Sequence, residues 1–347
     1  MSSERENNYD LLRLICVLAV ITNHVSDITL EWSNSYKWVT YFWEGLGVYA
    51  VPCFLMITGA FSINNPNNCN AKVYWARVYK KIGIPTAIFS VFYFLWYFSL
   101  SYYKTGGDIL KALHKPLYLL LTGWYGHPLW YVYTLMGIYL FIPLVCEFRN
   151  KYKDSTVYWI FMGGYVIWSF LSMYGVHSNI SWSITHVFSY LGFVLLGSII
   201  KDLWKRKRNC IGICMIVSGE LLSILAWEMA YWSNIMHLGW NIKIFTGTFS
   251  PISIFIYVLI FGGITMLKIQ QNFKIIVKYS LYIYLFHKFI LEIGAYVVKN
   301  WGLIILNNPC SYIPIMITIV FMISLLFSTM YLAGNNFIQL ILRKKRE

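Results

Sequence analysis

The chain has 347 residues, of which 58% are hydrophobic and only 12% charged, and its mean hydropathy is +0.57. Soluble domains carry about a quarter charged residues, so the composition excludes that class and predicts an all-α polytopic membrane protein. The formal net charge is +14. Because the basic residues sit in alternate loops, membrane orientation explains them better than nucleic-acid binding.

Ten apolar segments are expected, near 9–26, 40–62, 82–102, 128–147, 156–175, 182–200, 210–232, 249–267, 279–298 and 311–333. The first follows Arg5 without a small-residue cleavage site and reads as a retained span. It contains DLLRLICVLAVITNHVSD, Asp10 to Asp27. Arg13 and His24 lie eleven positions apart. That is about three helical turns and about 16 Å of rise, so the two share a face. Asp10 precedes Arg13 by three residues and Asp27 follows His24 by three, within side-chain reach. Ionisable groups inside a membrane are costly and default to a functional reading. An imidazole takes a proton near neutral pH, so His24 is the candidate general base, with Asp27 holding its other nitrogen. A lone His bonded to a neighbouring helix is the bland alternative, which a second ionisable group on the same stripe weakens.

Glu44 sits near the outer end of the second segment. Arg77, Lys80 and Lys81 cluster where the third opens, and a helix N-terminus there favours phosphate. Orientation charge alone accounts for that cluster equally well. The run Leu117–Thr122 is too short to span, which leaves an interfacial or re-entrant position. Trp38, Tyr41, Trp43, Trp124, Tyr125, Trp130 and Tyr131 crowd the segment ends as an aromatic belt. Glu220 and Glu228 are embedded acids of the seventh segment. In the ninth, Ser280, Tyr284 and His287 share a face. His114, His127, His177, His186 and His237 read as loop or interface residues. The seven cysteines form no CxxC, so neither a disulfide framework nor a metal site is expected.

Basic residues follow the even-numbered segments: Lys72 to Lys81, Arg149 to Lys153, Lys201 to Arg208, Lys268 to Lys278, and Arg343 to Arg346. This asymmetry puts both termini in the cytoplasm, with His24 deeper than Arg13 toward the outer half.

Four stretches together resemble the integral-membrane acyltransferase family 3, which includes bacterial O-acetyl- and O-succinyltransferases of surface glycans. DLLRLICVLAVITNH is similar to its first helix, with Arg, ten residues, then His. VPCFLMITGAF resembles its Ser-Gly signature, with Thr58 in place of Ser. LWYVYTLMGIYLFIP and KYSLYIYLFH resemble its Leu-Trp-aromatic and Tyr-Leu-x-His stretches. The third helix departs from the family's Arg-x-x-Arg and reads Arg77-Val-Tyr-Lys80, then Lys81. Lys binds phosphate as a point charge and lacks the fork of Arg.

The resemblance implies one acyltransferase domain over 1–347, in a multi-pass protein of the inner (cytoplasmic) membrane and in contact with its lipid. It implies transfer of an acyl group, acetyl first, from cytoplasmic acyl-CoA to a hydroxyl of a saccharide or lipid-linked glycan. No tightly bound cofactor and no nucleic acid are expected. His24, Asp27 and Arg13 would be catalytic; Arg77, Lys80, Lys81 and Arg13 would hold the donor; Trp130, Tyr284, His287 and Glu44 would line the acceptor side. A saccharide or proton-coupled transporter is the second reading, against which the missing repeat of two halves counts.

Overall fold

The computed structural model describes residues 7–30, 36–122, 129–173, 184–300 and 308–344, and the side chains of 121–122, 172–173, 184–186 and 336–344 are not described. Trp124, Tyr125, His127, His177 and Arg346 lie outside the described residues, as does the side chain of His186.

Helices follow one another along the chain: α1 Asn7–Leu30, α2 Lys37–Gly45, α3 Ala50–Ser62, α4 Ala71–Val78, α5 Ile84–Lys104, α6 Ile109–Thr122, α7 Trp130–Tyr152, α8 Thr156–Met173, α9 Ile184–Leu203, α10 Asn209–Ile235, α11 Lys243–Thr246, α12 Pro251–Met266, α13 Lys274–Val277, α14 Ser280–Asn300 and α15 Pro309–Lys344. No strand occurs among the described residues. The protein is an all-α polytopic membrane protein. Without water to pair backbone groups in a bilayer, helices satisfy them internally. Among the described residues, eight helical stretches are long and apolar enough to cross a membrane. They coincide with eight of the ten expected segments. The fifth and sixth segments fall on α8 and α9, either side of residues 174–183, which lie outside the described residues.

The chain divides into two compact units, 1–53 with 204–347, and 54–203, with the division inside α3. In the first unit α1 packs against α2, α12, α13, α14 and α15. Its start is tied to the end of α12, where Asn8 donates to the Thr265 carbonyl at 2.7 Å and Lys207 donates to the same oxygen at 2.7 Å. A helix C-terminus leaves carbonyls without intrahelical partners, and these two donors satisfy one. Further along, Thr29 on α1 meets Thr40 on α2 through their hydroxyls at 2.8 Å, and Ser223 on α10 donates to the Gly45 carbonyl at 2.6 Å. Short polar bonds of this kind hold membrane helices together where lipid is as apolar as Leu. They seat α2 between α1 and α10. Helices α10 and α12 cross on glycines: a Cβ at Gly212 would stand 2.7 Å from the Gly263 carbonyl oxygen, and one at Gly263 would stand 2.7 Å from the Gly212 oxygen. Only residues without a side chain allow that approach.

In the second unit α6 folds back along α5 through Gly106 and Gly107, at φ +64° and +92°. The short run Leu117–Thr122 is therefore the end of a 14-residue helix. Asp108 starts that helix by accepting from the Lys111 amide at 3.1 Å, and this bond holds its carboxyl below the usual range. Ser90 on α5 bonds Tyr133 on α7 at 2.8 Å, and Trp75 on α4 donates to the Tyr139 carbonyl at 3.2 Å.

Candidate functional site: a histidine pair on the first and fourteenth helices

Helix α1 places its four polar groups as the 3.6-residue repeat requires. At the early end Arg13 pairs with Asp10 at 2.6 Å, and Asp10 is completely buried while Arg13 keeps 26% of its side chain exposed. A buried ionised carboxylate is stabilised by a cation beside it. Three turns on, His24 brings Nδ1 to 3.4 Å from the Asp27 carboxylate, with 21% of the imidazole and 54% of Asp27 exposed. That separation is long for a hydrogen bond, as catalytic contacts in unliganded sites often are. The carboxylate still favours the hydrogen on Nδ1, which leaves Nε2 as the basic nitrogen.

The second imidazole comes from α14. His287 stacks on His24 with ring centroids 5.2 Å apart and 25° between planes. It is fully buried, and its Nδ1 makes a short hydrogen bond to the Tyr284 carbonyl one turn earlier. A carbonyl oxygen can only accept, so Nδ1 carries the hydrogen and Nε2 is a bare acceptor. That Nε2 is buried without a hydrogen-bond partner. The Tyr284 ring lies 5.2 Å from His287, so the sequence face of Tyr284 and His287 is a real one and points at His24.

Glu44 on α2 is 3% exposed, and its Oε1 is buried without a hydrogen-bond partner. Its carboxyl is close enough to Asp27 for the two to interact electrostatically. The first unit therefore gathers His24, Asp27, Glu44, Tyr284 and His287 from three helices.

Four further site residues belong to the second unit. Arg77 donates to Asn68 Oδ1 at 2.9 Å, whereas Lys80 and Lys81 are exposed. The expectation of a helix N-terminus at this cluster is corrected. The helix starts at Asn70, whose side chain accepts from the Val73 amide at 3.2 Å, and runs through a π-helical turn at Tyr79–Gly83 into α5. Arg77 is in the last turn of α4, and Lys80 and Lys81 lie within the π turn, so backbone amides there are committed to the helix. The three cations therefore offer side-chain charge alone. Trp130 opens α7, with its ring 5.8 Å from Tyr190.

Two polar groupings escaped sequence reasoning. Tyr49, between α2 and α3, is buried close to Glu220 on α10. Tyr49 falls within the expected segment 40–62, and no local spacing links it to Glu220. Arg149, expected to orient the chain, grips Asp202 by Nε at 3.1 Å and Nη2 at 2.7 Å, and Asn64 donates to the same carboxylate at 3.0 Å. Its partner lies 53 positions away and no local pattern announces it.

The fold and this site together define a many-spanning helical membrane protein with two stacked imidazoles and buried carboxylates in its first unit. The acyltransferase-domain family profile matches residues 6–333, nearly the whole chain. The protein belongs to that family, as the resemblance to acyltransferase family 3 leads one to expect, and it is an acyltransferase acting on groups other than aminoacyl. Comparison with the curated proteins and with the solved structures gives no match.

Proposed function

We propose that this enzyme moves an acyl group, acetyl first, from cytoplasmic acyl-CoA to a hydroxyl of a saccharide or other cell-envelope acceptor. It would do so as a multi-pass protein of the cytoplasmic membrane with both termini inside. The observation that carries the reading is the His24 imidazole, with Asp27 3.4 Å from Nδ1 and Nε2 left basic. His24 Nε2 takes the acceptor proton as the hydroxyl oxygen bonds to the thioester carbonyl carbon. The carbon–sulfur bond then breaks and the proton passes from His24 to the leaving thiolate, so atoms and charge balance. Asp27 stabilises the imidazolium while it holds that proton. The thioester is already activated, so the reaction needs no resident cofactor.

Arg77, Lys80 and Lys81, with Arg13, are the cations proposed for the donor's phosphates. Their side chains carry that role without help from a helix N-terminus. Tyr284, His287, Glu44 and Trp130 are proposed to face the acceptor.

Labelled acetyl-CoA supplied to the purified protein in liposomes tests this reading. Native protein should release free CoA and transfer label, and His24→Gln should lower the rate about 10²–10⁴-fold with abundance and Tm unchanged. Full activity in a well-folded His24→Gln protein removes His24 from the mechanism.

A further inference from the structure

We infer that His287 selects the acceptor: its Nε2 accepts a hydrogen bond from a second hydroxyl adjoining the one that is acylated, so the preferred acceptor is a diol and not a simple alcohol. This rests on the acyl-transfer reading above and deepens it.

The tautomer comes first. The Tyr284 carbonyl claims the hydrogen of Nδ1, which makes Nε2 a lone pair with nothing to donate. His287 therefore cannot stabilise the oxyanion of a tetrahedral intermediate, because that task requires a donor. His24 has a carboxylate beside Nδ1 and keeps part of its ring exposed, whereas His287 has a backbone carbonyl at Nδ1 and is fully buried, which gives His287 the role of hydrogen-bond acceptor in this reading.

An orphan acceptor in an interior is unfavourable unless a donor arrives with the ligand. Among the described residues no donor meets Nε2. The reacting hydroxyl cannot serve both rings: it has one proton, and His24 takes it. A second donor group on the acceptor is needed, and the 5.2 Å stacking of the rings puts it beside the reacting one. Adjacent hydroxyls on a sugar ring have this chemistry. The amide N–H groups of the coenzyme's arm are the other source of such a donor, and the test separates them.

Purified protein in liposomes is given acetyl-CoA with water alone, with cyclohexanol, or with cis-1,2-cyclohexanediol. Free thiol, ester product and both KM values are measured. Native protein should favour the diol over cyclohexanol by about tenfold in kcat/KM. His287→Gln, which keeps an acceptor oxygen, should retain most of that preference. His287→Phe, which keeps a stacking ring without the lone pair, should lose it through a rise in the diol KM. Should the Phe variant fail to insert, His287→Met makes the same deletion.

Native protein without diol preference overturns the inference, and so does a preference that survives in the Phe or Met variant. A rise in the acetyl-CoA KM in place of the acceptor effect assigns Nε2 to the coenzyme. Thiol release lost as completely as in His24→Gln makes His287 a base. Equal thiol release by native protein and His24→Gln instead defeats the acyl-transfer reading itself, a result distinct from turnover without diol preference.

Discussion

The two stacked histidines are proposed to differ in role because different oxygens face their Nδ1 atoms. A carboxylate stands by His24 and a backbone carbonyl by His287, and in each ring Nε2 is the nitrogen left over. The Asp10–Arg13 pair shows the same dependence on surroundings. Asp10 is buried completely, so Arg13 neutralises it before it can do anything for a substrate. Removing the cation from a buried carboxylate is destabilising, and the exposure of Arg13 tempers the loss. Arg13→Gln should therefore lower Tm and yield, and Arg13→Gln with Asp10→Asn should recover most of the loss. Measured donor KM in that recovered double variant then reports the catalytic or donor role of Arg13 free of its structural one. An Arg13→Gln protein as stable as the native one would mean that Asp10 finds its compensation elsewhere.

At the scale of the element, α4, the π turn and α5 form one helical stretch, Ala71–Lys104, that starts well before its cations. This changes the physics of donor binding. A helix N-terminus would add free amides and a dipole, whereas cations in mid-helix contribute only charged side chains. Arg77→Gln and Lys81→Gln should each raise the donor KM about tenfold, since a charge-assisted contact is worth roughly 1.5–3 kcal/mol in a desolvated site and less at an exposed one. Lys80→Arg should be neutral or lower it, because a guanidinium can fork onto a phosphate. Acceptor KM should not move. An unchanged donor KM in both Gln variants, in protein checked for topology, leaves these residues as orientation charges only.

Over the whole molecule, the basic loops define a topology that labelling can read. Single cysteines near 27–38, 176–181 and 299–310 should react with an impermeant thiol reagent added outside, and those near 63–81, 201–208 and 268–278 should not. The reverse pattern would invert the protein and bring His24 toward the cytoplasmic half. The first unit also carries a folding consequence. Helix α1 is enclosed by α12 to α15, which come from the last hundred or so residues of the chain. The histidine pair joins positions 24 and 287, so it forms only after α14 is in place, and such long-range closure is slow.

The sequence by itself determined the class, the helices and the first-helix stripe. Each of these depends on local spacing, which the 3.6-residue repeat converts directly into a shared face: Arg13 with Asp10, His24 with Asp27, Tyr284 with His287. The family was legible for the same reason, since its motifs are short runs within single helices. The tertiary structure alone decided what those faces meet. The stacking of His24 on His287, the approach of Glu44 to Asp27 and of Tyr49 to Glu220, and the Arg149–Asp202 pair all join residues from different parts of the chain. Their positions follow from packing, such as the glycine crossing of α10 and α12, and no one-dimensional pattern encodes it. The helix start at Asn70 was missed for a related reason. Ala71–Val78 is too polar to read as membrane span, yet an Asn cap and continuity through the π turn make it the beginning of one.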